Sequence, residues 1–181
     1  TSDAVELTAS GLRLMTLRYA SPEQIDGAVI TTASDVYSLG VVLFELLTGL
    51  MVFPGADSHA AWERAVRSEE PQRPSTAVRR HFAADGHWAA AAGLHARPKE
   101  LCAQLDGDLD AIVMRAMRKD PEARYASVDH LCEDLQRHLR AEPVLARRGT
   151  VRYRVSRFVR RHCVLLVAAV AVVASLVVGV L

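Results

Sequence analysis

One apolar stretch constrains the fold of this chain more than any other feature. Residues 34–49 read S-D-V-Y-S-L-G-V-V-L-F-E-L-L-T-G, which places apolar side chains on nearly every face of a helix. Such a helix has to be enclosed by protein, because a surface helix shows only one apolar stripe. It is too short to cross a bilayer, and Glu45 interrupts it. Asp35 stands where an N-cap belongs and Gly49 where a helix ends, so we predict a central buried helix between them.

The passage after this helix is less regular. A short helix is predicted within residues 56–68, and its inward-facing side chains are Trp62, Ala65 and Val66. Residues 69–107 contain prolines and an alanine-rich patch, and they predict one short helix or none. The overall pattern is therefore typical of a mainly α-helical domain.

Two amphipathic helices are predicted towards residue 142. Asp108 is the expected N-cap of the first helix, and Ser127 is the expected N-cap of the second. Apolar residues recur every three or four positions along both, as in a helix with one buried face. The apolar face of the second helix consists of Val128, Leu131, Cys132, Leu135 and Leu139. Pro143 then predicts the end of the folded part.

Charge is divided unevenly along the chain. Residues 1–142 carry 15 Lys and Arg against 21 Asp and Glu, whereas residues 143–181 carry seven Arg and no acidic residue. A basic tail of this kind predicts an anionic partner. The three cysteines are widely spaced and no H-E-x-x-H occurs, so neither a disulfide framework nor a metal site is expected.

Residues 163–181 contain no charged side chain. A helix of this length spans about 28 Å, close to the hydrocarbon thickness of a bilayer. We interpret it as a single transmembrane helix, preceded by a basic juxtamembrane segment at residues 143–162. The arginines before the span predict that the preceding residues lie on the cytoplasmic side of the cell membrane. The alternative, a buried core helix, would need a second domain to cover it.

The basic segment has two candidate anionic partners. A nucleic acid would suit the arginines in a soluble helical protein. The adjoining apolar span instead favours anionic lipid headgroups, contacted between Arg147 and Arg161, and no nucleic acid. Small residues recur every four positions within the span, a spacing that permits a homodimer but also arises by chance. They are Ala171, Ser175 and Gly179.

Two motifs resemble the C-terminal lobe of a protein kinase. Residues 15–23 read M-T-L-R-Y-A-S-P-E, which looks like the end of an activation segment with Ser-Pro-Glu in place of Ala-Pro-Glu. Residues 35–49 look like the central hydrophobic helix of that lobe. Together they resemble bacterial membrane-anchored serine/threonine protein kinases over residues 1–142. The implied fold is a helical C-lobe without its N-lobe, followed by the transmembrane helix.

The resemblance implies roles for several residues. Substrate binding is implied for Thr16, Tyr19 and Glu45, and activating phosphorylation is implied for Thr8 or Ser10. Thr16 would receive the residue after the phosphoacceptor, and Glu45 would face a basic residue of the substrate. An ordinary loop threonine and a helix-surface glutamate are the simpler alternatives.

The resemblance also implies structural roles for residues of the two motifs and of the closing helices. Glu23 would form an ion pair with Arg124, and Asp35 would brace the catalytic loop in addition to capping its helix. The residues concerned are Ser21, Pro22, Glu23, Asp35, Gly40 and Arg124.

The activity that the resemblance implies is transfer of the ATP γ-phosphoryl group to Ser or Thr of protein substrates, with Mg²⁺. The family holds ATP and Mg²⁺ with a Gly-rich loop, a strand lysine, H-R-D and D-F-G, and none of these occurs in this sequence. They are expected upstream, so this sequence is expected to contain no catalytic residue and the chain alone is expected to be inactive. The alternative is a non-catalytic, kinase-derived scaffold at the membrane.

Overall fold

A computed structural model describes residues 18–84 and 98–147 of the chain. Within these ranges the secondary structure is helical and contains no strand, which confirms the predicted mainly α-helical class. The elements are α1 (Pro22–Ile25), α2 (Thr32–Thr48), α3 (His59–Ser68), α4 (Pro74–Ala84), α5 (Pro98–Leu105), α6 (Asp108–Ala116), a 3-10 turn (Pro121–Ala123) and α7 (Val128–Leu139).

No helix in the described part of the chain is both long enough and apolar enough to cross a bilayer. The predicted transmembrane helix at residues 163–181 lies outside the described residues, as does the juxtamembrane segment beyond Arg147. Thr8, Ser10 and Thr16 also lie outside them.

Helix α2 begins earlier than predicted. Thr31, and not Asp35, is its N-cap, because the Thr31 hydroxyl accepts a hydrogen bond from the Ala33 amide at 3.2 Å. The Ser34 hydroxyl in turn accepts from the Thr31 amide at 3.3 Å. Asp35 lies in the first helical turn, where a carboxylate interacts favourably with the positive end of the helix. Gly49 ends the helix with a left-handed φ of 67°, as predicted.

The prediction that α2 is enclosed on all sides is wrong for the described residues. Helices α4, α6 and α7 pack against one face only. The opposite face carries an exposed apolar stripe on which Leu39 is 41% and Leu46 is 72% exposed. We call this face the open stripe, and it consists of Asp35, Leu39, Val42 and Leu46. A uniformly apolar sequence could not indicate which side of the helix has neighbours.

The buried face of α2 makes its closest approach at Gly40. A methyl group there would lie 2.9 Å from Ala116 Cβ and 2.9 Å from Met117 Cγ at the end of α6. On the same face, Val36, Tyr37, Val41 and Phe44 are buried. Gly40 therefore lets α2 and α6 pack without a side chain between them.

Helix α3 confirms its prediction, with Trp62, Ala65 and Val66 buried. The described parts of residues 69–107, which are 69–84 and 98–107, contain two helices, α4 and α5, where at most one was predicted. The two pack against each other in a small separate core of Val78, Leu101 and Leu105. The start of α4 is held by a residue of α6. The Asp110 carboxylate accepts hydrogen bonds from the Ser75 amide at 2.9 Å and from the Ser75 hydroxyl at 2.6 Å.

The closing helices follow the prediction in part. Ser127 caps α7 by accepting from the His130 amide. Asp108 is the first residue of α6, however, and Gly107 is its N-cap. Cys132 and Leu139, predicted on the buried face of α7, are both exposed, so the buried face of that helix is narrower than the periodicity predicted.

Pro143 does not end the folded part. Residues 142–147, which we call the strap, fold back on α7 and bury Val144 at 3% exposed. Both oxygens of the Asp134 carboxylate hold the strap, since they accept from the Leu145 amide at 2.6 Å and the Ala146 amide at 2.8 Å. The Tyr125 hydroxyl also donates to Asp134, at 2.8 Å.

We predict that Gly40→Ala lowers the melting temperature of the domain. In an open helix this change would stabilise, since glycine is a poor helix former. Here the added methyl group overpacks the contact with Ala116 and Met117, which should cost about 1–3 kcal/mol. Leu46→Ala on the open stripe is the matched control and should change the melting temperature little. A melting temperature raised by Gly40→Ala would contradict this close packing.

Candidate functional site

The residues that precede α1 are tied to the middle of α2. The Ser38 hydroxyl donates to the Tyr19 carbonyl at 2.7 Å, and the Tyr19 hydroxyl donates to Glu45 Oε2 at 3.1 Å. The structure thus brings together two of the three residues implied in substrate binding. The third, Thr16, lies outside the described residues.

The Glu45 carboxylate lies beside the positive charge of Arg18. Arg18 Nη2 lies 3.6 Å from Glu45 Oε1, an ion pair without a hydrogen bond. The negative charge of Glu45 raises the pKa of Tyr19, and burial adds to the effect. The side chain of Arg18 is 38% exposed, and that of Glu45 is 22% exposed.

Glu23 and Arg124 form a buried ion pair across 101 positions of sequence. Arg124 Nη1 lies 2.7 Å from Glu23 Oε1, and Nη2 lies 2.8 Å from Oε2, so the pair is bidentate. The side chain of Glu23 is 9% exposed, and that of Arg124 is 0% exposed. The structure therefore joins the end of the Ser-Pro-Glu motif to the segment between α6 and α7.

All five N–H groups of Arg124 have an acceptor. Two bind Glu23, and the other three bind the backbone carbonyls of Ala33, Arg118 and Lys119 at 2.6–2.9 Å. The guanidinium also lies 5.0 Å from the centre of the Tyr37 ring. A buried guanidinium is tolerated only when its donors are satisfied. Arg124 thus joins α1, the start of α2 and the end of α6 at one point.

Glu23 is ionised at neutral pH. Burial alone would raise the pKa of its carboxyl, but hydrogen bonds from Arg124 and Ser34 outweigh burial and lower the pKa to about 2 from its ordinary value of 4.5. The Ser34 hydroxyl donates to Glu23 Oε1 at 2.7 Å. Glu23 and Arg124 therefore carry full opposite charges within the fold.

Lys119 extends this network to α3. Its ammonium donates to the Val66 carbonyl at 2.5 Å and lies 4.9 Å from the centre of the Phe53 ring. Burial lowers the pKa of Lys119 to about 8. Since its own carbonyl accepts from Arg124, Lys119 couples α3 to the buried ion pair.

The other implied structural residues have simpler positions. Ser21 and Gln24 form a capping box at α1, and Pro22 is the first residue of that helix. Asp35 is exposed and makes no hydrogen bond or ion pair with the residues that the structure describes. Gly40 lies at the contact with α6.

Sequence reasoning missed Ser34, Lys119 and Asp134. Asp134 carried a readable signal, because an acidic residue between Leu131 and Leu135 on an apolar helix face is expected to have a buried partner. Ser34 and Lys119 carried none, since their partners lie far away in sequence.

The chain lacks the four motifs named above, and within residues 18–84 and 98–147 no three His, Cys, Asp or Glu side chains cluster as metal ligands would. What the described residues supply is a rigid frame and a surface formed by Arg18, Tyr19 and Glu45.

We predict that Arg124→Ala lowers the stability of the domain by about 3–5 kcal/mol, because it leaves the Glu23 charge buried without a partner. The change should appear as a large fall in melting temperature. Arg118→Ala is the matched control, since only the carbonyl of exposed Arg118 enters the network. Equal melting temperatures for the two variants would refute this account of the pair.

The lowered pKa of Glu23 also predicts how stability depends on pH. Stability from the ionised carboxylate is present above pH 4.5 and is lost as the pH falls towards about 2. The difference in unfolding free energy between the wild type and Glu23→Gln should therefore be constant above about pH 5 and shrink between about pH 4.5 and 2. Urea unfolding at several pH values measures it. A difference that stays constant down to about pH 3 would show that Glu23 does not lose its charge-dependent stabilisation in this range.

Comparisons with known proteins agree on one family. Residues 5–138 match the protein kinase domain family. The chain is 36% identical over 137 residues to the serine/threonine-protein kinase PknB of Mycobacterium tuberculosis. These aligned residues cover 76% of this chain and 18% of that protein. It is 33% identical over 138 residues to a probable serine/threonine-protein kinase of Streptomyces coelicolor, covering 76% of this chain and 17% of that protein.

A cyanobacterial protein shows a similar relationship. The chain is 29% identical over 133 residues to serine/threonine-protein kinase A of Synechocystis, covering 71% of this chain and 21% of that protein. The chain thus spans about a fifth of the length of these relatives. It belongs to the protein kinase domain family, and the relatives that it resembles there are bacterial serine/threonine protein kinases.

Proposed function

We propose that this chain is the C-terminal lobe of a membrane-anchored bacterial serine/threonine protein kinase. The intact protein would transfer the γ-phosphoryl group of Mg-ATP to Ser or Thr of protein substrates. The groups that hold ATP and Mg²⁺ would be supplied by residues upstream of Thr1. Membership of the protein kinase domain family supports the kinase part of this proposal.

The buried Glu23–Arg124 pair is the observation that carries the proposal. The resemblance implied that the Ser-Pro-Glu glutamate pairs with an arginine near the last helices, and these two side chains lie 2.7 Å apart. The fold keeps both charges buried and paired, and losing either partner would leave an uncompensated buried charge. The pair supports reading Ser21–Glu23 as the end of an activation segment.

The open stripe of α2 supports the need for an upstream half. Its leucines expose apolar surface next to Asp35, which has no partner among the described residues. We propose that the catalytic half of the intact kinase covers this stripe, and that Asp35 then braces the catalytic loop. The small share of the relatives that this chain spans is consistent with such a half.

The substrate would lie near Thr16, Tyr19 and Glu45. Thr16 would receive the residue after the phosphoacceptor, and Glu45 would exchange its contact with Arg18 for a basic residue of the substrate. Thr8 and Ser10 precede these residues and are the proposed sites of activating phosphorylation. A phosphate there would order the loop by pairing with arginines of the upstream half.

The membrane anchor is proposed from sequence alone. Residues 163–181 would form a single-pass transmembrane helix with the kinase part in the cytoplasm, and residues 143–162 would contact anionic lipid headgroups.

We expect the intact protein, expressed with its upstream residues, to phosphorylate Ser or Thr of a general protein substrate in the presence of Mg-ATP. The 181-residue chain alone should transfer no phosphate. In the intact protein, Thr16→Ala should lower kcat/KM by roughly tenfold or more, as expected for loss of a hydrogen bond in a closed site, whereas Thr16→Ser should retain activity. Transfer of radiolabelled phosphate measures both.

Absence of phosphoryl transfer by the intact protein would overturn the proposed activity. Equal activity of Thr16→Ala and Thr16→Ser would leave the kinase assignment in place and remove the proposed role of Thr16.

We predict that the 181-residue chain sediments with membranes and is released by detergent but not by high salt. At high salt, the chain without residues 163–181 should move into the soluble fraction, because its remaining arginines then bind lipid only weakly. Cell fractionation with immunoblotting measures this. A full chain that stays soluble without detergent would argue against the anchor.

A further inference from the structure

A small cavity lies where the residues before α1, α1 itself and the start of α3 meet. We call it the α1–α3 cavity, and its volume is about 210 Å³. Sites for small molecules usually measure about 300–1,000 Å³, so this cavity has the size for a single side chain. Its lining includes Arg18, Ile25, Met51, Asp57, Trp62 and Glu63.

The apolar part of the lining belongs partly to the core. Trp62 is buried, and its ring meets the Phe53 ring edge-on with 5.4 Å between the centroids. Ile25 is half-buried and packs against the same core. Met51 is 44% exposed at the cavity. An occupant would therefore meet a fixed indole and a flexible thioether, which together suit an aliphatic chain.

Arg67 ties together the two helices that form the cavity. Its Nε donates to Asp26 Oδ1 at 2.6 Å, and its Nη2 donates to the Ile25 carbonyl at 3.2 Å. Its Nη1 lies 3.8 Å from Glu63 Oε2. These contacts hold the end of α1 against α3, so the cavity is a feature of the packed fold.

Carboxylates outnumber cations around the cavity. Two arginines face four carboxylates there, which leaves a surplus of two negative charges when His59 is neutral. The remaining charged residue of α3, Arg64, lines a separate hollow together with Glu69, so those two charges offset each other. The six groups counted are Arg18, Asp26, Glu45, Asp57, Glu63 and Arg67.

The surplus is concentrated at Asp57 and Glu63. Asp57 is exposed and forms no ion pair with the residues that the structure describes. Glu63 shares Arg67 with Asp26, which makes the shorter contact, and its other neighbour is His59 Nδ1 at 3.4 Å. A cation that enters the cavity would therefore meet carboxylates without a full partner of their own.

We propose that the α1–α3 cavity holds a lysine or arginine side chain of the protein substrate. The aliphatic stem would lie against Trp62 and Ile25. The charged end would pair with Asp57 and Glu63. Side chains of this kind bury an apolar stem and keep a charged end in water, which matches a cavity with apolar walls and carboxylates beside them.

This inference rests on the proposed kinase function and adds a property of its substrates. Arg18 lines the cavity and lies 3.6 Å from Glu45, which accepts from the Tyr19 hydroxyl. A substrate that reaches Glu45 is thus one arginine side chain away from the cavity. The substrate would carry two basic residues, one at Glu45 and another in the cavity.

The first experiment measures the substrate preference of the intact protein. Arginine or citrulline, which has the shape of arginine without its charge, is placed in turn at each position of a serine-containing peptide. We expect one position at which arginine raises kcat/KM about fivefold over citrulline, as a partly exposed ion pair would. A second position should show a preference that Glu45→Gln removes.

Variants assign the first preference to the cavity. Asp57→Asn should lower the ratio of kcat/KM between the two peptides, and Asp57→Asn with Glu63→Gln, which removes both surplus charges, should bring it to about one. Asp129→Asn is the matched control, because Asp129 is an exposed carboxylate of α7 without an ion pair in the described part of the chain. It should leave the ratio unchanged.

The second experiment does not require activity. In the 181-residue chain with its three cysteines changed to serine, Met51→Cys places a thiol in the cavity, and Leu139→Cys places one on an exposed site of α7. Each thiol reacts with cationic aminoethyl methanethiosulfonate or with neutral methyl methanethiosulfonate. We expect Asp57→Asn with Glu63→Gln to lower the ratio of the cationic to the neutral rate severalfold at position 51 and not at position 139.

Four outcomes would overturn the proposal. An active intact protein whose arginine preference never depends on Asp57 leaves the kinase function in place and removes the cavity from substrate selection. Rate ratios at position 51 that ignore the two carboxylates show that the cavity attracts no cation. A reaction at position 51 that slows as the protein concentration rises shows that a second copy fills the cavity instead. Absence of phosphoryl transfer by the intact protein overturns the proposed function, and the substrate role with it.

Discussion

The structure depends on the buried guanidinium of Arg124. Its five donors require five acceptors, and these come from the Glu23 carboxylate and three backbone carbonyls on separate segments. A buried cation that lost one of these partners would be strongly destabilised, so the segments have to arrive together. The end of the activation-segment-like region, the start of α2 and the end of α6 therefore form one mechanical unit. Lys119 joins α3 to it through the Val66 carbonyl.

Helix α2 divides the described part of the chain into a packed side and an open side. On the packed side, Gly40 lets α6 approach closely, and Tyr37 lies beneath the Arg124 guanidinium. The open side carries the open stripe. Tyr19 is tied to Ser38 and Glu45 of this helix, so the residues proposed to meet a substrate are held by the same element that would receive the catalytic half. The described residues thus form the frame of the proposed kinase without its active centre.

Local patterns predicted the elements well and their surroundings less well. The inward face of α3 and the Ser127 cap of α7 follow from periodicity and from the chemistry of one hydroxyl, which are local properties. The start of α2 was misplaced because Thr31 and Asp35 both suit an N-cap, and only the backbone decides between them. The strap was missed because a proline signals the end of a helix and says nothing about what the next residues pack against. Val144 packs against α7 because Asp134 accepts hydrogen bonds from the amides of Leu145 and Ala146, the two residues after Val144.

The sequence by itself determined the helical class and the family resemblance, since these depend on residue types at given spacings, and the resemblance in turn implied the charged pair. The tertiary structure decided that the apolar helix α2 is packed on one face only and that the chain stays folded through the strap. It also decided that Leu139 points into water. These are properties of which surfaces meet, and apolar periodicity records that a residue favours burial without recording whether a neighbour exists to bury it.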